Sequence, residues 1–211
     1  VSKNYMFIDS QINTIENRDK KLCDFYISCA YRPYLVKNHI LGYSSLQIMR
    51  NILMGGVRCV YVDVFNNTLN ENAYPIVTTG IKEGEWKLGL NSLTFEDVCE
   101  TIATTVFSSG YVNNYRDPFI LCLNLNTNGN VKCLNKIKKI IYRTFKSNLL
   151  NNNYTFASIN MAEVAIKELL GKVIIVTSGG YENSTLEELV NYSWDKQELN
   201  KCFKENKFDK V

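Results

Sequence analysis

The sequence predicts an α/β fold, with a parallel sheet inside and helices on its outer side. Three observations carry this. Strand-like and helix-like segments alternate along the chain. The runs Val57 to Phe65 and Lys172 to Val176 are nearly continuous in β-branched and aromatic residues, as strands covered on both faces require. Between such runs, apolar residues recur at helical spacing. With 211 residues, 45% of them hydrophobic, the chain is long enough to bury one sizeable core as a single domain.

Phe25 to Ser28 reads as a first short strand. Ser44 or Ser45 then caps a helix whose residues Leu46, Ile48, Met49, Ile52 and Leu53 share a face, and Gly55-Gly56 ends it. Val57 to Phe65 is the second strand. Ile76 to Thr78 gives a short extended piece, and Ser92 opens a helix to about Phe107 with Phe95, Val98, Ile102 and Val106 on one side. Phe119 to Leu123 is a third main strand. Val131 to Leu149 is a basic amphipathic helix whose lysines read as a solvated face. Met161 to Leu170 forms a further short helix before the fourth strand at Lys172 to Val176. From Asp195 the chain is strongly charged.

Composition narrows the function classes. A formal charge of +3, with basic and acidic residues interspersed, gives no basic face for nucleic acid. No run of about 18 apolar residues is present, so no transmembrane segment is expected. Seven cysteines at 23, 29, 59, 99, 122, 133 and 202 contain no CxxC pair. Cys59, Cys99 and Cys122 lie in apolar runs and read as small hydrophobes, which points to a reducing compartment such as the cytoplasm, with peripheral attachment to membranes left open.

Three segments resemble the X region of phosphoinositide-specific phospholipases C. Phe25-Tyr26-Ile27-Ser28-Cys29-Ala30-Tyr31-Arg32-Pro33-Tyr34-Leu35 lies over that family's FISSSHNTYL, Gly55-Gly56-Val57-Arg58-Cys59-Val60-Tyr61-Val62-Asp63 over GCRCVELD, and Pro75-Ile76-Val77-Thr78-Thr79-Gly80 over PVITHG. The resemblance implies TIM-barrel-like βα units, the X half of a phospholipase C barrel. It divides the chain into a lead-in at 1–22, an X-like domain at 23–180, and a Y-like opening or tail at 181–211, in which Ser184 to Tyr192 resembles the short helix that opens the family's Y region. Four βα units make half of an eight-stranded barrel, and an open half leaves unpaired edges. A complement is therefore expected, either the remainder of a longer polypeptide or other protein chains.

The resemblance also implies where chemistry should sit, and there the residues differ. The family's two acid/base histidines fall on Tyr31 and Thr79. Imidazole suits proton transfer near neutrality, whereas a phenol with a reference pKa of about 10 is a poor base and a threonine no acid. The family's calcium ligands fall on Arg32, Tyr61, Asp63 and Asn124, leaving Asp63 as the one carboxylate. Calcium takes about six to eight oxygen ligands, so the site reads as lost and no cofactor or metal is expected. The phosphate-contacting lysines fall near Val176 and Ser178. His39, the sole histidine, matches neither acid/base position.

The leading expectation is thus a catalytically inactive module for structure or protein interaction, with Arg32 pairing Asp63 in place of the cation. Two alternatives stay open: a phosphoinositide- or phosphate-binding module in which Arg32 presents its fork to a phosphate, and a metal-independent phosphodiesterase using Asp63 and Tyr31.

Overall fold

The structure, a computed structural model, describes residues 20–36, 42–67, 73–81, 86–87 and 89–194. His39 and the charged segment from Asp195 lie outside the described residues. The strands are β1 (Cys29–Tyr31), β2 (Leu35–Val36), β3 (Tyr43–Ser44), β4 (Cys59–Asn66), β5 (Pro75–Val77), β6 (Gly80–Ile81), β7 (Trp86–Lys87), β8 (Leu93–Thr94), β9 (Phe119–Asn126), β10 (Val173–Thr177) and β11 (Tyr192–Ser193). The helices are α1 (Leu46–Met54), α2 (Phe95–Val106), α3 (Val131–Phe145) and the single turn α4 (Ile166–Leu169).

The main sheet has seven strands, of which β1, β4, β9, β10 and β11 run parallel in that spatial order. Its departure from the expected all-parallel sheet is at β5 and β8, which pair antiparallel beyond the end of β1 along β4. Such two- and three-residue strands have no period to read. β11 is a further addition: the segment expected to be a short helix is a 3₁₀ turn at Thr185–Leu189, and Tyr192–Ser193 then pairs with Val176–Thr177.

Other boundaries shift for local reasons. The first strand is Cys29–Tyr31 rather than Phe25–Ser28, because its register on Cys59–Tyr61 decides where the ladder runs. Upstream, Tyr26 is fully exposed and Phe25 packs beside Ile166. The second helix begins at Phe95, where the Thr94 hydroxyl accepts from the Asp97 N–H at 3.0 Å. The basic helix stops at Phe145 because Lys146 takes φ 37°, the left-handed region. Met161 to Leu170 is broken into a 3₁₀ turn and α4, since Ala165 between them bridges to Lys21. The first helix matches its reading: Ser45 Oγ accepts from the Ile48 N–H, and Gly56 turns out of the helix at φ 88°.

Strand alternation gives the sheet two faces. Val60, Val62 and Val64 of β4, with Leu121 and Leu123 of β9 and Val173 and Ile175 of β10, pack against Met49, Leu53, Val98, Ile102, Leu134, Ile137 and Ile141 of the helices. Each such fully buried side chain contributes about 1.5–3 kcal/mol. The opposite face carries Ile120, Cys122, Ile174 and Val176, covered by Met161, Val164, Leu169, Tyr192 and Trp194. On it Cys59 and Cys122 are half-buried, not core residues as their apolar surroundings in sequence suggest, whereas Cys99 and Cys133 are fully buried.

Candidate functional site

The parallel strands place their C-terminal ends together, the edge at which barrels of this kind carry their chemistry. Tyr31 ends β1, Arg32 follows it, and Arg32 donates its backbone N–H to the Tyr61 carbonyl of β4 at 3.0 Å. Arg32 has φ 49°. A non-glycine residue in this left-handed region carries a backbone cost of order 1–3 kcal/mol, which the surrounding contacts must offset.

Those contacts begin with Asp63. Its carboxylate is almost fully buried, and Arg32 Nε lies 2.5 Å from Oδ2. Neither atom makes an aligned hydrogen bond, so the contact is an ion pair held by charge rather than by direction. Asn124 Nδ2 donates to the other carboxylate oxygen at 2.7 Å, and Ser178 Oγ donates to Asn124 Oδ1 at 3.2 Å. Asn124 reaches this position because β9 pairs Asn124 directly with Asp63. A chain of polar contacts thus crosses from the end of β1 to the loop after β10.

Tyr34 closes the other side. Its hydroxyl accepts from the Asp63 N–H at 3.3 Å and donates to the Thr78 carbonyl at 3.2 Å. Thr79 is buried just beyond, and its hydroxyl has no hydrogen-bond partner among the described residues. A side chain at Gly89 would meet Thr78 Oγ1 at 2.3 Å, so this loop closes only around a glycine. Above the ion pair, aromatic rings are layered. Arg32 Cζ stands 4.8 Å from the Tyr31 ring centre, the Tyr31 and Tyr61 rings are 4.9 Å apart, and Trp194 stacks on Tyr61 at 6.2 Å. Tyr31 remains half-exposed.

The six positions matched to the family's acid/base and calcium-ligand residues lie at this end of the sheet: Tyr31, Arg32, Tyr61, Asp63 and Asn124 around one cluster, with Thr79 joined to it through its neighbour Thr78. The expected ion pair between Arg32 and Asp63 forms. Sequence reasoning missed Tyr34 and Trp194, two aromatic residues whose types alone read as core. Among the described residues, no group of three or more His, Cys, Asp or Glu side chains could hold a metal ion.

Burial, reinforced by the Asp63 charge, pushes the phenols of Tyr34 and Tyr61 above the ordinary tyrosine value. Raised pKa values in the folded state mean that the unfolded chain loses these protons first as pH rises through about 10. Stability from both groups is complete below that pH and declines above it. Urea unfolding at pH 8 to 11 should show this decline, and Tyr34→Phe should flatten it. A decline as steep as the parent's in both Tyr34→Phe and Tyr61→Phe would assign it to other groups.

Comparison with known proteins identifies the family and supports the fold. The family described as phosphatidylinositol-specific phospholipase C, X domain, matches residues 18–178. A 1-phosphatidylinositol 4,5-bisphosphate phosphodiesterase beta of Caenorhabditis elegans is 31% identical over 103 residues, covering 49% of this chain and 7% of that protein. The human 1-phosphatidylinositol 4,5-bisphosphate phosphodiesterase beta-4 is 29% identical over 102 residues, covering 48% and 8%. The chain thus spans under a tenth of the curated relatives it matches. Among solved structures, S. officinalis PLC21 aligns with a TM-score of 0.62 at 17% identity, over 89% of this chain and 26% of that one. L. pealei PLC21 aligns with a TM-score of 0.58 at 20% identity, over 90% and 22%. A calcium-dependent phosphoinositol-specific phospholipase C of Pseudomonas sp. aligns with a TM-score of 0.53 at 14% identity, over 91% and 70%. These likenesses extend the fold to the TIM-barrel-like phospholipases, and no helix among the described residues is long and apolar enough to cross a membrane. By its match across most of its length, the chain belongs to the phosphatidylinositol-specific phospholipase C X-domain family.

Proposed function

We propose that this chain is an X half that has lost calcium-dependent phosphodiester cleavage and is kept as a structural and protein-interaction module. The observation that carries this is the Arg32–Asp63–Asn124–Ser178 chain of contacts. The one carboxylate of the cluster is already neutralised by a guanidinium, where the family resemblance puts calcium. A cation needing about six to eight oxygens gains little from one engaged carboxylate and one amide, and it would be repelled by Arg32. The residues do not fit calcium, and no catalytic step is assigned through it.

Proton transfer is missing as well. At the two acid/base positions stand a half-exposed phenol and a buried threonine. Loss of one acid/base group typically costs about 10²- to 10⁴-fold in rate, and loss of charge stabilisation adds a separate penalty. The Arg32–Asp63 pair also supports a structural rather than a phosphate-binding part for Arg32, because its charge is already used. Residual metal-free cleavage by Asp63 and Tyr31 has no comparable support, since Asp63 is engaged on both oxygens.

The interaction part of this reading rests on the sheet. Beyond β1 on one side and β11 on the other, no further parallel strand pairs among the described residues. A closed barrel would need further strands from a longer polypeptide or another protein chain. The test of lost activity is cleavage of phosphatidylinositol 4,5-bisphosphate by the full-length polypeptide carrying this chain, with calcium or with chelator. No release above background is expected in either condition. Turnover that requires calcium overturns the reading.

A further inference from the structure

Three sulfurs line the face of the sheet that the main helices do not cover. Cys29 and Cys59 are paired directly across the β1–β4 ladder, with Sγ atoms 3.3 Å apart. Cys59 Sγ is in turn 3.8 Å from Cys122 Sγ on β9. Cys29 is exposed, and Cys59 and Cys122 are half-buried, so the row opens to solvent at its β1 end. We propose that Cys29 and Cys59 form a redox-closed clasp between β1 and β4, with Cys122 as an alternative partner for Cys59.

The geometry is suited to a bond. Adjacent strands lie about 4.8 Å apart, within the Cα separation of about 4.4–6.8 Å that disulfides span. The two sulfurs have to approach by only about 1.2 Å to reach a bond of about 2.05 Å. Burial and the neighbouring thiol push Cys29 up to about 12, and Cys59 is raised chiefly by its contact with Cys122 and by burial. Protonated thiols are weak nucleophiles, so the clasp closes slowly by exchange and is not a fast peroxide trap.

The oxidant is a small-molecule disulfide such as oxidised glutathione. Cys29, on losing its proton, attacks one sulfur of that disulfide, which breaks the S–S bond and expels one glutathione thiolate. Cys59, deprotonated in turn, attacks the Cys29 sulfur of the mixed disulfide and expels the second thiolate. Two protons leave the protein thiols and are taken up by the two glutathione thiolates, so the protein is oxidised by two electrons and the small disulfide reduced by two. Attack of Cys122 on the Cys59 sulfur then moves the bond to Cys59–Cys122 and frees Cys29.

The consequence for the fold is local. β1 is a three-residue strand, and it delivers Tyr31 and Arg32 to the site. A covalent tie to β4 fixes that delivery. The inference stands on the sulfurs alone and does not depend on the reading of lost activity.

The test equilibrates the chain in glutathione buffers from reducing to oxidising, alkylates free thiols, and maps linkages by mass spectrometry. A Cys29–Cys59 linkage is expected under oxidising conditions, and the linked form should melt about 5–10 °C higher. Exposed Cys23, with no cysteine beside it among the described residues, serves as the internal control and takes only glutathione. In Cys59→Ser, Cys29 should also take only glutathione; in Cys29→Ser, the linkage should move to Cys59–Cys122. The proposal is overturned if Cys29 and Cys59 stay fully alkylatable across the series, if wild-type Cys29 ends as a stable glutathione adduct while Cys59 stays unlinked, or if the linked form melts no higher.

Discussion

Replacing Arg32 by asparagine should lower the unfolding free energy by about 2–4 kcal/mol. Removing one member of a buried ion pair strands the other, which typically costs about 3–5 kcal/mol. Here the stranded group is the Asp63 carboxylate, 1% exposed and left with the hydrogen bond from the Asn124 amide. Asparagine tolerates the left-handed backbone of position 32, so part of the strain is relieved and the loss measures the charge. Asp63→Asn should cost less, because the Arg32 side chain is 15% exposed and can turn its charge toward water. The double variant Arg32→Asn/Asp63→Asn should return to within about 1 kcal/mol of the parent, since a buried pair and its neutral replacement are often nearly equal. Urea unfolding of the four proteins yields the coupling directly. Additive losses would show that the pair is not a unit.

Arg58→Met should cost about 3–5 kcal/mol, and Arg58→Lys should recover little of it. Arg58 is 3% exposed, and its guanidinium donates to the carbonyls of Val106, Asp117 and Pro118 while lying over the rings of Phe107 and Phe119. Three carbonyls that turn inward lose their donor together, at about 1–3 kcal/mol for each one left unsatisfied, offset in part by the burial of a flexible thioether. An ammonium cannot span the same fork of acceptors. Burial lowers the Arg58 pKa to about 10, the direction that desolvation of a cation gives. A loss below about 1 kcal/mol in Arg58→Met would show that water or backbone relaxation replaces the guanidinium.

Long elements were legible in the sequence because their periods are long enough to see. The helices Leu46–Met54 and Val131–Phe145 announced themselves through apolar faces, and the first also through a capping serine and terminal glycines. β4 and β10 were visible as nearly continuous apolar runs. Pro75–Val77, Leu93–Thr94 and Tyr192–Ser193 were not, since their pairing is decided by partners far along the chain. At the site, Arg32 and Asp63 could be matched because each lies in a segment that resembles a family motif. Tyr34 and Trp194 could not, as an aromatic residue that bridges or stacks reads in sequence like one that fills the core. The cysteine row was hidden for the same reason: only the register of three strands brings Cys29, Cys59 and Cys122 together.

The proposed loss of the cation site is tested most directly by calcium binding to this chain, because all four positions implied as calcium ligands lie within it. Thermal unfolding with calcium raised from micromolar to ten millimolar reads binding to the folded state, which at 100 times the dissociation constant adds about 2.7 kcal/mol. We expect no calcium-specific rise in melting temperature over magnesium at equal ionic strength. A saturable rise that disappears in Asp63→Asn would contradict the account.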